Sequence, residues 1–85
     1  MTRSFAKECG EYNIRCNAIV PGFTKTKFAA ALFEHKEIYD VAVSQTVLKR
    51  HAVPEEMAGA VLYLASNASS YTTGEYIVID GGMTI

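Results

Sequence analysis

A single stretch decides the fold: IRCNAIVPGFTKT, which runs from Ile14 to Thr26. Apolar side chains fall on both faces of its first half, a pattern that is typical of a central parallel strand. Pro21 cannot donate a hydrogen bond to a β-ladder, so we predict that the strand ends there. Gly22 then permits a backbone geometry, or a close approach to a ligand, that a side chain would block. The threonines that follow lie just beyond the carboxyl end of the strand, where open α/β sheets bind ligands.

Composition and charge limit the class of protein. The chain has 85 residues, enough for one small domain, and 49% of them are hydrophobic, which indicates a folded core rather than disorder. Its net charge is -1 and no basic stripe occurs, so we expect no nucleic-acid partner. The apolar runs are far shorter than the ~20 residues of a membrane span, so we also expect no membrane association.

Cysteine usage bears on the compartment. Cys9 and Cys16 are the only cysteines, and neither their spacing nor a nearby histidine supports a disulfide or a metal site. We therefore predict two buried free thiols and no bound metal. The residues that follow Met1 lead into mixed, charged sequence, which predicts no signal peptide. Together these features predict a reducing, cytoplasmic environment.

Helix-forming patterns occur in segments on both sides of the strand. Their predicted limits are Thr2 to Cys9, Lys27 to about Phe33, Glu37 to Thr46 and Pro54 to Ser66. We expect the first helix to end with Gly10 as its C′ residue. The last helix has the strongest signals, because Pro54 suits position N1 and two glutamates occupy the first turn. Its apolar stripe, typical of a core-facing side, comprises Met57, Ala58, Val61, Leu62 and Ala65.

A second strand is predicted from Glu75 to Asp80, where the sequence YIVI is continuously apolar. A turn-rich loop from Asn67 to Gly74 precedes it. A long crossover that includes a helix separates the two strands, so the simplest topology is a parallel βαβ unit. The intervening segment from Phe23 to Leu48 lacks a strong framework. It is either a mobile flap over whatever lies at Gly22 or an ordinary pair of surface helices.

Five short motifs follow one another along the chain. They are NIRCNAIVPG from Asn13 to Gly22, PEEMA from Pro54, YLAS from Tyr63, SYTTG from Ser70 and VIDGG from Val78. Together they resemble the carboxyl-terminal pattern of short-chain dehydrogenases/reductases. The resemblance implies an α/β fold that is the carboxyl-terminal part of a doubly wound, Rossmann-like parallel sheet, with two strands and three to four helices here. Residues 1–85 would form a carboxyl-terminal segment of a single Rossmann-like domain.

The family's catalytic residues have no match in this chain. The family uses a Ser, a Tyr and a Lys, with Tyr and Lys separated by three residues. Here Tyr12 is followed at that spacing by Cys16, and Tyr39 by Val43. The family's Gly-rich dinucleotide loop is also missing. We therefore predict no catalytic residue in this chain, expect the catalytic pair before Met1, and interpret the sequence as a truncated gene, a miscalled start or a fragment.

The resemblance implies a cofactor-binding role for the segment after the first strand. Pro21 and Gly22 would form the turn that lies against the nicotinamide of NAD or NADP. Thr24 would offer its backbone to the carboxamide, although relatives usually have an aliphatic residue there. Thr26 would contact the carboxamide or a nearby phosphate through its hydroxyl. The alternative for Thr26 is an N-cap of the next helix.

Other polar residues are assigned structural or surface roles. Asn17 lies on the predicted strand and needs a partner there, so a structural hydrogen bond is preferred to a ligand contact. His35 and His51 match no family role and are predicted to lie on the surface. Lys25 and Lys27 are interpreted as an exposed charged turn rather than as phosphate ligands.

Two functions compete. In the first, the chain is a segment of an NAD(P)-dependent oxidoreductase that transfers hydride between nicotinamide and a small alcohol or carbonyl substrate; by itself the chain is predicted to be inactive. In the second, it is a non-catalytic truncated module that associates with itself or with a full-length paralogue. Because family members commonly pair through their last strand and the helix before it, we expect a homo-oligomer. The surfaces would be the helix from Pro54 to Ser66 and the strand from Tyr76 to Ile79.

Overall fold

The computed structural model describes residues 1–26 and 30–85. Its helices are α1 (Thr2–Cys9), α2 (Ala30–Glu34), α3 (Lys36–Ser44) and α4 (Glu55–Ala65), its strands are β1 (Ala18–Pro21) and β2 (Tyr76–Ile79), and single 3₁₀ turns span Gly10–Tyr12 and Asn67–Ser69. The two strands form a parallel sheet, because Ala18 donates to Glu75 and, further along in the same direction, Gly22 donates to Ile79. The predicted fold class is confirmed. The start of the helix predicted from Lys27 lies outside the described residues.

Strand β1 ends at Pro21, as predicted, but it begins at Ala18 rather than Ile14. Residues 14–17 are extended and bond to a loop instead of a strand: the carbonyl of Cys16 accepts from Gly74 N, and the Thr73 hydroxyl accepts from Cys16 N. The prediction of a buried strand is wrong: Ala18 and Ile19 are half-buried, Val20 is 41% exposed, and Ile14, before the strand, is 54% exposed.

Helix α1 has the predicted limits, but its end differs from the prediction. Gly10 keeps right-handed helical angles (φ -58, ψ -36) and begins a 3₁₀ turn. The left-handed residue is Asn13, with φ 58 and ψ 37. Asparagine tolerates this conformation better than most residues with a side chain, so it takes the role that the sequence assigned to glycine.

The chain forms two compact units, which are described separately. The first comprises Met1–Val20 and Ala58–Val78, and the second Pro21–Met57 and Ile79–Ile85. Polar contacts hold much of the first unit. Ser69 is fully buried, and its Oγ accepts from Arg15 Nη1 at 2.7 Å and donates to the Leu64 carbonyl at 3.1 Å. Arg15 Nη2 also donates to the Leu64 carbonyl at 3.2 Å.

Asn17 makes the structural hydrogen bonds that were predicted for it. Its Nδ2 donates to the Thr72 carbonyl at 2.9 Å, and its Oδ1 accepts from Glu75 N at 3.0 Å. Both polar ends of the amide are therefore satisfied within the first unit. Arg3 approaches the same loop, since its Nε donates to the Gly74 carbonyl at 3.3 Å.

The apolar stripe predicted for the last helix is mostly wrong: Met57 is half-buried, but its other four residues are exposed. Val61 and Leu62 are 52% and 69% exposed, whereas Ala60 and Leu64 are half-buried. Nearly every position of EEMAGAVLYLA after its first turn is apolar, so periodicity alone does not distinguish one face from another. Of the side chains whose burial the structure describes, Ala6 is the one buried hydrophobic residue. Within those residues, no helix is long and apolar enough to cross a membrane.

Candidate functional site

The turn after β1 brings the predicted cofactor residues together in the second unit. Pro21 is exposed at the end of the strand, and Gly22 N donates to the Ile79 carbonyl at 2.9 Å. A Cβ atom on Gly22 would lie 2.6 Å from both Cα and Cβ of Asp80. A side chain at position 22 would clash with Asp80, so glycine is required here. The sequence predicted a close approach to Gly22, and within this chain the approaching group is the main chain of Asp80.

Thr24 is positioned by Ala52, which hydrogen-bonds to the residues before and after it. It forms an isolated parallel bridge with Ala52, in which Ala52 N donates to the Phe23 carbonyl and Lys25 N donates to the Ala52 carbonyl, both at 2.9 Å. In such a bridge, alternate residues point their backbone groups in opposite directions. The N–H and C=O of Thr24 therefore point away from Ala52. The Thr24 hydroxyl donates to the Gly22 carbonyl at 3.1 Å, which folds the side chain back onto its own turn.

Thr26 is the last of the predicted cofactor-binding residues. It is exposed and interacts with another group of the chain. Its alternative role as an N-cap depends on residues 27–29, which lie outside the described residues, as does Lys27 itself. Lys25 is exposed, and its Nζ lies 5.9 Å from the centre of the Phe33 ring, a cation–π distance.

An aromatic cluster stands behind this turn. It comprises Phe23, Phe33, Tyr39 and His51. Phe23 stacks on Phe33 with ring centroids 5.1 Å apart, and His51 meets Phe33 edge to face at 4.9 Å. The Tyr39 hydroxyl lies 2.8 Å from His51 Nδ1, a hydrogen-bond distance. The predicted surface position of His51 is therefore wrong, because the ring is half-buried in this cluster.

Sequence reasoning missed this cluster, although a signal for it exists. The segment from Phe23 to Leu48, which has no strong helical or strand framework in its sequence pattern, carries several aromatic residues, and His51 follows shortly after it. Aromatic pairs contribute beyond their buried area, so such a concentration is a packing signal even without helical or strand periodicity. The cluster gives the segment the internal framework that the sequence analysis did not find.

The second unit also contains an ion pair between Arg50 and Glu56. Glu56 accepts from Arg50 through both oxygens, at 2.7 and 2.9 Å, and its Oε1 also accepts from Val53 N at 3.2 Å. The Arg50 bonds, and then the Val53 bond, lower the pKa of Glu56 to about 2. Glu56 thereby binds a backbone N–H just before α4, next to Val53, whose own side chain has no group that could cap the helix.

A cavity of about 70 Å³ lies between this ion pair and the end of β2. Its polar boundary includes Asp80, whose Oδ1 accepts from Gly82 N at 3.0 Å and whose Oδ2 accepts from the Thr84 hydroxyl at 2.7 Å. The Thr84 bond, supported by the backbone bonds, lowers the pKa of Asp80. The full lining comprises Phe23, Leu48, Arg50, His51, Ala52, Glu56, Ile79, Asp80 and Gly81. In the described part of the chain, no group of three acidic, histidine or cysteine side chains could hold a metal ion.

Comparison with known proteins identifies the family. The family model described as Enoyl-(Acyl carrier protein) reductase matches residues 1–84. The chain is 46% identical over 85 residues to 3-oxoacyl-[acyl-carrier-protein] reductase FabG of Thermotoga maritima and 42% identical over 85 residues to a tropinone reductase homolog of Arabidopsis thaliana. Both matches cover 100% of this chain but only 34% and 32% of those proteins. The chain belongs to the short-chain dehydrogenase/reductase family and spans about a third of the length of these relatives.

Solved structures agree with this assignment. A 4-hydroxyisoleucine dehydrogenase complexed with NADH matches with a TM-score of 0.94 and 34% identity, over 98% of this chain and 34% of that one. The RhlG/NADP active-site complex of Pseudomonas aeruginosa matches with a TM-score of 0.87 and 31% identity, over 99% of this chain and 34% of that one. Relatives of this chain are therefore NAD(P)-dependent oxidoreductases, and both forms of the cofactor occur among them.

Proposed function

We propose that this chain is the nicotinamide-side segment of an NAD(P)-dependent oxidoreductase that transfers hydride between the cofactor and an alcohol or carbonyl substrate. Residues 1–85 would belong to a single Rossmann-like domain in that protein. The observation that carries the proposal is the bridge to Ala52, which turns the N–H and C=O of Thr24 away from the neighbouring segment. Those groups match the donor and acceptor of a carboxamide.

The residues present fit such a cofactor. When bound, NAD(P) supplies or accepts the hydride. The turn at Pro21 and Gly22 would limit how closely the ring approaches the strand end, since Gly22 is fixed against Asp80. Thr24 would orient the carboxamide through its backbone, and the exposed Thr26 would offer its hydroxyl to the carboxamide or to a phosphate. The proton transfer at the substrate oxygen is assigned to none of these residues.

The backbone role of Thr24 is tested by a pair of substitutions in the natural protein at its full length, established first by intact mass. Thr24→Pro removes the N–H, whereas Thr24→Val removes only the hydroxyl. We expect Thr24→Pro to raise the cofactor Kd about tenfold, the effect of losing one hydrogen bond, and Thr24→Val to change it less than about twofold. Equal effects of the two substitutions would contradict the backbone role.

Exposed apolar side chains in the first unit support a second function. In this alternative, the chain is a non-catalytic module that associates with itself or with a full-length paralogue. On α4, Val61 and Leu62 are exposed, and on β2, Tyr76 and Val78 are 40% and 51% exposed. We expect Leu62→Glu to reduce self-association in analytical ultracentrifugation. Tyr71→Glu, at a side chain that is fully exposed away from these elements, is the matched control. Identical behaviour of the two variants would contradict an interface on α4.

We also propose a cytoplasmic location. The proposal rests on the sequence, whose two cysteines show no disulfide or metal-ligand spacing. In the structure both thiols are half-buried rather than buried as predicted. Mass mapping of peptides from the protein, isolated from its source under alkylating conditions, tests this proposal. We expect Cys9 and Cys16 both to be alkylated, and a disulfide at either residue would contradict it.

A further inference from the structure

One carboxylate fixes both ends of the segment that carries Ala52. Glu56 holds the Arg50 side chain through two hydrogen bonds and holds Val53 through its backbone N–H. Arg50 lies before Ala52 in the sequence and Val53 directly after it. The same side chain therefore limits the movement of the backbone on either side of Ala52.

Ala52 in turn holds the two neighbours of Thr24. It donates to the Phe23 carbonyl and accepts from Lys25 N, both at 2.9 Å. We propose that Glu56 is a positioning residue for Thr24: by fixing the segment around Ala52 through Arg50 and Val53, it sets where the Thr24 backbone groups lie. The consequence for the cofactor rests on the function proposed above, but the positioning itself does not.

The geometry favours a positioning role over an ordinary surface ion pair. The Arg50 and Glu56 side chains are 54% and 36% exposed, and single ion pairs at such positions usually contribute little. Here the pair is bidentate, which fixes the orientation of both groups as well as their distance. The third bond, to Val53 N, ties the carboxylate to the backbone, so the constraint acts on the main chain and not only on two side chains.

Amide hydrogen exchange in the natural full-length protein tests the positioning directly. Glu56→Gln keeps the shape but weakens the Arg50 bonds, and Glu55→Gln makes the same change of charge one residue earlier in α4. We expect Glu56→Gln to speed exchange of the Lys25 and Ala52 N–H groups about two- to fivefold, and Glu55→Gln to leave them unchanged. Unchanged exchange in Glu56→Gln, or an equal increase in both variants, would overturn the proposal.

Cofactor kinetics supply a second readout that general loss of stability would not move. If Glu56 positions a cofactor contact, Glu56→Gln raises the KM for the dinucleotide about two- to fivefold, while kcat and the KM for the second substrate change less. An equal change in all three parameters would overturn this consequence. The exchange result does not depend on the cofactor, so failure of the positioning and failure of the Thr24 contact are separate outcomes.

Discussion

Arg15 donates from Nη1 to Oγ of Ser69 across 2.7 Å, and these residues are 54 positions apart in the sequence. Ser69 is fully buried, and its hydroxyl also donates to the Leu64 carbonyl. In the first unit, where Ala6 is the one buried apolar residue described, this polar contact joins the segment before β1 to the end of α4 and the turn that follows it. The unit is therefore specified by hydrogen bonds as much as by apolar packing.

Replacing Ser69 tests this contact. Ser69→Ala removes the acceptor of Arg15 Nη1 and leaves a part-buried guanidinium donor without that partner. We expect the free energy of unfolding to fall by about 1–3 kcal/mol, the cost of an unsatisfied buried donor. Ser70→Ala, at the exposed neighbouring serine, is the control and should change stability by less than about 0.5 kcal/mol. Urea unfolding followed by circular dichroism measures both, and equal losses would contradict the role of Ser69.

The bond between Tyr39 and His51 is tested by removing one oxygen atom. Tyr39→Phe keeps the ring that packs on Phe23 and Phe33 but loses the hydroxyl 2.8 Å from His51 Nδ1. We expect the free energy of unfolding to fall by about 0.5–1.5 kcal/mol and the ¹⁵N chemical shift of His51 Nδ1 to change. Tyr71→Phe, at a fully exposed ring, should leave both quantities unchanged. An unaltered His51 spectrum in Tyr39→Phe would show that the bond is not formed in solution.

Two glycines are expected to respond in opposite directions to alanine. At Gly22 the added Cβ would lie 2.6 Å from the main chain of Asp80, so Gly22→Ala should destabilise the protein by about 1–3 kcal/mol. At Gly59, within α4, the added Cβ would meet nothing within 4 Å. Gly59→Ala should stabilise the protein by about 0.5–1 kcal/mol through helix propensity alone. Thermal unfolding of the two variants gives the signs, and loss of stability in Gly59→Ala would contradict an open site there.

The lowered pKa of Glu56 predicts a pH dependence of stability. Its pKa is about 2 in the folded chain against an ordinary value of 4.5, so its ionised form favours the folded state. That contribution is fully present above about pH 4.5 and is lost as the pH falls towards about 2. Wild-type stability should therefore fall more steeply over this interval than that of Glu56→Gln. Parallel curves from urea unfolding at several pH values would contradict the assignment.

Local features of the fold were predictable from the sequence. Pro21 ends β1 because it has no N–H to donate to the ladder, and the continuous apolar run YIVI forms β2. Both signals depend on only a few neighbouring residues. Asn17 was correctly assigned a structural hydrogen bond, since an amide within the segment leading into a strand must be satisfied. The prediction of Gly10 as the C′ residue is wrong, because a 3₁₀ turn over Gly10–Tyr12 follows the helix and Asn13 ends that turn. Composition does not reveal this extra turn.

Long-range pairs in the site were not predictable in the same way. The chain order of Tyr39 and His51 does not indicate that their rings meet, and nothing in the periodicity of the segment signals it. The bridge between Thr24 and Ala52 also depends on how the intervening segment folds back. For α4, an almost uniformly apolar sequence does not indicate which face is covered. The half-buried residues are Met57, Ala60 and Leu64, of which the prediction named only Met57.

The position of a bound dinucleotide tests most directly whether Thr24 and Thr26 contact the nicotinamide. We would record nuclear Overhauser effects between nicotinamide protons and backbone amides in the natural full-length protein with NADH or NADPH bound. We predict contacts from the nicotinamide ring and carboxamide protons to the Thr24 amide, with further contacts to the side chain of Thr26. A bound dinucleotide whose nicotinamide protons show contacts only to residues outside the Pro21 to Thr26 segment would contradict it.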